Sequence, residues 1–267
     1  HSFPTRRSSD LAGFPKQFLV LSGDGSSQSL FQQAVERINS VASTKITLGN
    51  TLVVTNEDHR FLVLDQLREM KSIHATLLLE PVGRNTAPAL SMAAFCAQQL
   101  AQEQDPILVI TPADQTIQNP AAFTKALQDC IAVVEKNQQS IAILGITPTA
   151  PETGYGYIQR AGGKDENNSF VVDRFVEKPD RQTAQSYLAD GSYLWNSGMF
   201  VLKASTWLAA LKEYRSDIFE ASQKAWQAKS EDTADGVEFI RPGNASQVCR
   251  RVAGDSPAYG FLLSPQA

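Results

Sequence analysis

Apolar residues along this 267-residue chain follow two alternating rhythms. Short unbroken runs read as buried strands: Phe18-Leu19-Val20-Leu21, Thr51 to Thr55, Ala75 to Leu79, Ile107 to Ile110 and Ile141 to Leu144. Between them, apolar positions recur every three or four residues, the period of a helix with one buried face. Leu30, Ala34, Ile38 and Val41 form one such stripe, and Ser29 with Gln32 predicts a capping box at its start. Glu57 to Met70 predicts a second helix that buries Phe61, Leu64 and Leu67. An alanine-rich helix is expected over Ala87 to Gln102, and another over Pro120 to Lys136. Beyond residue 157 the rhythm changes. Tyr157 to Arg160, Phe170 to Glu177 and Leu194 to Leu202 read as strands, with a surface turn at Gly162-Gly163-Lys164-Asp165. Residues 220–250 are polar and carry no clear period.

Short apolar strands separated by helices predict an α/β protein with a mainly parallel central sheet and helices on both faces. In such sheets ligands gather beyond the carboxyl ends of the strands, which directs attention to loops 80–88, 111–117 and 145–157. The hydrophobic fraction of 42% is enough for a sizeable core. The formal net charge of -4 argues against a nucleic-acid surface, so an anionic ligand must be met by locally placed cations. Cys96, Cys130 and Cys249 include no CxxC pair and fit reduced thiols of a cytoplasmic protein. No apolar run reaches the roughly 18 residues of a membrane span. The sequence therefore predicts neither a nucleic-acid nor a membrane partner, and leaves a homo-oligomer open. Trp195, Trp207 and Trp226 read as packing residues.

Each strand-end loop holds residues with two physical readings. In Glu80-Pro81-Val82-Gly83-Arg84-Asn85-Thr86, Gly83 permits close backbone approach and Arg84 can pair with phosphate. Asn85 and Thr86 can hydrogen-bond a base, or simply cap the next helix. In Thr111-Pro112-Ala113-Asp114-Gln115, Asp114 suits a Mg²⁺ ion or a turn. Glu177-Lys178 before Pro179 can hold sugar hydroxyls and a phosphate, or form an exposed ion pair. Gly156 and Asn196 offer close approach and an amide, or mark a bulge and a turn. Lys16 is a point charge for phosphate or a solvent-facing side chain.

Taken together, the stretches FPKQF (14–18), EPVGRNTAPA (80–89), TPADQ (111–115), PTAPETGYGYI (148–158), FVEKPD (175–180) and WNSGMFV (195–201) resemble one family. It is the bacterial mannose-1-phosphate guanylyltransferases, or GDP-mannose pyrophosphorylases, including the type fused to mannose-6-phosphate isomerase. The resemblance implies a Rossmann-like nucleotidyltransferase fold and a cytoplasmic enzyme of nucleotide-sugar and polysaccharide biosynthesis. Its reaction would transfer GMP from GTP to α-D-mannose 1-phosphate, with Mg²⁺ as cofactor. By matching position, Lys16 and Asp114 would be catalytic, with Asp114 the metal ligand. Gly83, Arg84, Asn85 and Thr86 would bind the nucleotide. Gly156, Glu177 and Asn196 would hold mannose, and Lys178 the sugar phosphate.

The same resemblance marks two departures. The family's glycine-rich phosphate loop, GGxGxRLWPLSR, has no counterpart before Lys16, where Thr5 to Leu11 stand instead. Its later SIDYAVMEK element would align with Ser256 to Phe261, placing Ala258 where a second metal-binding aspartate belongs. Residues 1–11 are therefore expected to be a non-native leader, 12–256 an incomplete nucleotidyltransferase domain and 257–267 an atypical end. A chain lacking both elements is expected to turn over weakly or not at all. Two other readings are another sugar-1-phosphate nucleotidyltransferase and a non-catalytic nucleotide-sugar-binding module.

Overall fold

The structure is a computed structural model, and it describes residues 15–20, 27–70, 74–81, 86–163, 165 and 169–243. Helices α1 (Leu30–Asn39), α2 (Arg60–Glu69), α3 (Thr86–Ala101) and α4 (Pro120–Lys136) alternate with strands β1 (Thr51–Asn56), β2 (Ala75–Glu80), β3 (Ile107–Ile110) and β4 (Ile141–Ile146). There follow β5 (Gly156–Ala161), β6 (Val171–Glu177), α5 (Arg181–Asp190), β7 (Tyr193–Lys203), α6 (Ala204–Tyr214), α7 (Ser216–Gln227), β8 (Ser230–Ala234) and β9 (Val237–Arg241).

The expected α/β architecture is present, with the strands in two sheets. In the first, β1, β2 and β9 run parallel and β8 returns antiparallel on β9. In the second, the long strand β7 pairs antiparallel with β3, β4 and β5, and β6 completes the far edge on β5. Residues Phe200 to Leu202 pair with both β3 and β4, so those two strands flank β7 and run in the same direction. Among the described residues β1 pairs with β2 alone, and β3 with β7 alone. The consequence shows in their burial. The wholly apolar β3 is only half-buried, whereas Leu77, Leu78 and Leu79 of β2 are sealed from solvent.

Helices cover both faces of β2 and of the β3–β7–β4 part of the second sheet, as strand alternation requires. Leu77 and Leu79 meet Phe31 and Val35 of α1 and Val63, Leu64 and Leu67 of α2. Leu78, on the opposite face, meets Met92 and Cys96 of α3 and Ala221 and Ala225 of α7. Two residues earlier in each turn of α3, Leu90 and Ala94 pack against Phe200 and Leu202 of β7 and Trp207 of α6. Helix α3 thus spans both sheets. The buried Trp207 donates its indole N–H to Ser91 Oγ at 3.1 Å. Helix α4 covers the other face of β7 with Phe123, Leu127, Ile131 and Val134. Each such buried side chain contributes about 1.5–3 kcal/mol relative to exposure.

Several local expectations hold. Ser29 Oγ accepts from the Gln32 amide and Gln32 Oε1 accepts from the Ser29 amide, which is the anticipated capping box. Helix α4 spans the expected residues. Trp207 packs in the core, Trp226 stacks on Phe95 and Trp195 packs among tyrosines. Cys96 and Cys130 are free thiols, pushed up to about 12 and about 11 by burial. Cys249, residues 1–11 and residues 257–267 lie outside the described residues.

Two expectations are corrected. Lys16–Phe18 is a single 3-10 turn and Leu19 and Val20 do not continue as a strand, because Pro15 and the bond from Leu19 N to Lys16 O close the chain into a turn. Phe61 is 61% exposed. Glu57–His59 forms a separate 3-10 turn ahead of α2, which rotates the helix so that Val63, Leu64 and Leu67 face inward and Phe61 lies under the Arg60 guanidinium.

Candidate active site

Chain reversal after β3 places Thr111-Pro112-Ala113-Asp114-Gln115 beside the middle of β7. Two contacts hold it there. Gln115 Nε2 donates to Ser197 O at 2.8 Å, and Gly198, at φ +74°, lets the β7 backbone pass close to Pro112. Any Cβ on Gly198 would stand 3.6 Å from Pro112, in a backbone conformation that favours glycine. The 3-10 turn brings in Lys16, whose Nζ lies 2.7 Å from Asp114 Oδ2. The two side chains are 65% and 35% exposed. The hydrogen bond to Asp114, followed by its charge, raises the Lys16 pKa above its ordinary value. These residues stand almost a hundred positions apart along the chain; the fold joins them.

A second group lies across the strands. Gly145 pairs with Asn196, and Gly156 pairs with Glu177. Tyr157 pairs with Trp195, so the antiparallel register carries Gly156 alongside Asn196. Gly145, Asn196, Gly156 and Glu177 therefore form one row across β4, β7, β5 and β6. Residues directly opposite in neighbouring strands share a face. Asn196 and Glu177 thus stand on one face two strand spacings apart, about 10 Å, with a glycine between them. A Cβ on Gly156 would come within 2.8 Å of both Glu177 Oε2 and the Phe175 ring. Asn196 Oδ1 accepts from the Gly198 amide at 3.0 Å, so its amide NH₂ is the group left for a ligand. Lys178 adopts a left-handed φ of 44°, its amide donates to Tyr155 O, and its Nζ lies 3.2 Å from Glu177 Oε1.

Of the loop after β2, Gly83, Arg84 and Asn85 lie outside the described residues. Thr86 opens α3 and is exposed. The strand leading there ends on Glu80, in register with Asn56 at the end of β1. Burial alone pushes the Glu80 carboxyl up to about 7. In the 3-10 turn that follows β1, Glu57 joins Arg60 and Arg241 in an ion-paired cluster, with Arg241 Nε 3.1 Å from Glu57 Oε2. Among the described residues no three His, Cys, Asp or Glu side chains gather as a metal cluster, and no helix is long and apolar enough to cross a membrane.

The nucleotidyl transferase family model matches residues 8–239, most of the chain. The chain belongs to the nucleotidyl transferase family. It is 41% identical over 231 residues to a mannose-1-phosphate guanylyltransferase of Escherichia coli K12, covering 85% of this chain and 45% of that protein. It is 44% identical over 227 residues to the corresponding protein of Salmonella typhimurium, covering 85% of this chain and 44% of that one. The chain thus spans just under half the length of these relatives. Among solved structures, one titled mannose-6-phosphate isomerase from Helicobacter pylori superposes with a TM-score of 0.79 at 27% identity, covering 97% of this chain and 91% of that one. The resemblance first seen in the short motifs extends across the fold of this family.

Two residues of the site region carry little signal in the sequence. Glu80 is visible there only as the last residue of an apolar run, and nothing local signals that its carboxyl is desolvated. Arg37 leaves a clearer trace. It falls seven residues after Leu30 and three after Ala34, on the apolar stripe of α1, where a cation needs a reason to be.

Proposed function

We propose that this chain carries the site for GMP transfer from GTP to α-D-mannose 1-phosphate, yielding GDP-mannose and pyrophosphate. A phosphate oxygen of the sugar phosphate attacks the α-phosphorus in line. The new P–O bond forms as the bond to the β-phosphate oxygen breaks, and pyrophosphate carries away the electron pair. The nucleophile is already anionic, so the protein's work is positioning and charge neutralisation. Lys16 meets the phosphates, Gly83, Arg84, Asn85 and Thr86 face the nucleotide, and Lys178 meets the sugar phosphate. Gly156, Glu177 and Asn196 seat mannose.

The observation that carries this reading is the row across β4, β7, β5 and β6. Glu177 and Asn196 stand on one face, on strands two spacings apart, with the Glu177 carboxylate leaning over Gly156 between them, so an acceptor and a donor face the same ligand above a floor with no side chain. The Lys16–Asp114 pair stands at the same end of the sheet, reached through Gln115 and Ser197. Asp114 also fits a magnesium ion. Magnesium is commonly held by one or two carboxylates together with substrate phosphates, and Asp114 presents one partly exposed carboxylate already facing a cation. When bound there, the ion would neutralise charge developing on the phosphates. The free thiols of Cys96 and Cys130 suit the reducing cytoplasm, where we place this chemistry.

The reaction itself is the test. The chain is incubated with GTP, mannose 1-phosphate and Mg²⁺, with UTP, dTTP and glucose 1-phosphate as rivals, and GDP-mannose binding is measured by calorimetry. GDP-mannose is expected to bind, and GTP with mannose 1-phosphate to be the preferred pair. Preference for UTP or glucose 1-phosphate, or no binding of GDP-mannose, would overturn the assignment.

A further inference from the structure

The guanidinium of Arg37 is the most unusual charge in the core. Arg37 is only 8% exposed, on the inward face of α1. Its Nη2 donates to the backbone carbonyl of Gln115 at 2.9 Å, while its Nε is buried with no acceptor. It forms no ion pair among the described residues, and burial lowers its pKa from the ordinary arginine value. A buried cation without a carboxylate is costly, and an apolar side chain of similar length is often as good or better for stability. Stability is therefore a poor explanation for this arginine.

Its one acceptor supplies another. Gln115 directly follows Asp114, so the bond fixes the loop at the residue beside the candidate metal ligand. The same glutamine continues the connection through its side chain to Ser197 O. Ser197 Oγ donates to Leu144 O at 2.7 Å and accepts from the Met199 amide at 3.1 Å. A continuous hydrogen-bonded path thus runs from α1 through the Asp114 loop to β7 and β4.

Resting on the proposed transfer reaction, we infer that Arg37 is a positioning residue, which clamps the Thr111–Gln115 loop so that Asp114 faces the divalent cation of the bound nucleotide. It touches neither substrate nor metal. Its effect passes through the Gln115 carbonyl to the direction of the Asp114 carboxylate.

The test is binding of Mn²⁺·GTP, followed by electron paramagnetic resonance, to the full chain and to three variants. Asp114→Asn is expected to weaken binding 10–100-fold, roughly the range for loss of an outer-shell or ligand interaction. Arg37→Met is expected to weaken it about 10-fold while the thermal midpoint stays within about 3 °C of the parent or rises. Arg37→Lys, which keeps a donor for the same carbonyl, is expected to restore most of the loss. If Arg37→Met binds like the parent while Asp114→Asn does not, the inference fails and the functional reading survives. If Asp114→Asn binds like the parent, the functional reading fails at its metal ligand. A large fall in thermal midpoint for Arg37→Met, or no recovery with lysine, would make the arginine merely structural and sink the inference.

Discussion

Two strands of this fold lead to an acidic side chain at their carboxyl ends, and the two ends are built differently. After β3, Asp114 is partly exposed, paired with Lys16 and carried by a loop that Arg37 and Gln115 fasten to its neighbours. At the end of β2, Glu80 is half-buried, and burial alone governs its proton. One carboxylate is presented as a charge with its backbone braced; the other is held near the border between charged and neutral. The difference shows how the same chemical group, near the carboxyl ends of strands in two different sheets, is assigned different work by its surroundings.

The largest expected effect comes from erasing the braced charge. Asp114→Asn should lower the rate of GDP-mannose formation, itself expected to be weak in this chain, by about 10²–10³, the usual cost of one electrostatic contact to a transition state. Steady-state kinetics at saturating GTP will measure it, and a loss below about 3-fold would remove Asp114 from the chemistry.

Glu80 should respond to pH instead. Its folded pKa is raised from 4.5 to about 7, so the folded state retains a proton that the unfolded chain has released. Stability therefore falls as pH rises from about 4.5 to about 7 and stays lowered above that. Glu80→Gln should abolish this fall. Urea titrations are expected to show equal stability near pH 4.5 and a gain for the variant at pH 8 of at most about 3 kcal/mol, since each tenfold change in proton affinity is worth about 1.4 kcal/mol. A constant difference across that range would contradict the assigned environment.

Gly156→Ala tests the row proposed to seat the sugar. The added methyl must push aside the Glu177 carboxylate and the Phe175 ring, and overpacking of this kind costs about 1–3 kcal/mol. Expressed in KM for mannose 1-phosphate, that is a rise of about 5–150-fold, with KM for GTP little changed. An equal rise for both substrates would remove the row from sugar recognition. The smallest effect is expected at Ser29. Ser29→Ala removes the capping box of α1 and the bond to Gln66, lowering stability by about 1 kcal/mol in a denaturant melt. Because α1 carries Arg37, Mn²⁺·GTP binding should weaken slightly while the Glu80 titration stays put.

Legibility in the sequence followed the range of the forces involved. The capping box at Ser29 and the span of α4 were readable because caps and periodicity act within a few residues. Lys16, Asp114, Glu177 and Asn196 were readable as candidates from residue type, loop position and resemblance. Their joining was not, since it depends on the β7 register and on the route of the Asp114 loop. Phe61 misled because its spacing matches Leu64, while the preceding 3-10 turn sets the rotation of α2. Helix α5 went unread although Asp180 caps it and Gly191, at φ +72°, ends it. Helix α7 and strands β8 and β9 were hidden by polar composition, because β8 is mostly exposed and only β9 packs inward against β2.

The row from Gly145 to Glu177 makes the sheet a ruler graduated in strands. Its divisions are set by backbone hydrogen bonds, which no side-chain substitution stretches, so the span between Asn196 and Glu177 comes in steps of about 4.8 Å. A variant selected for a bulkier sugar must therefore shorten the side chains at the ends of the row, as in Glu177→Asp, because the spacing beneath them will not yield.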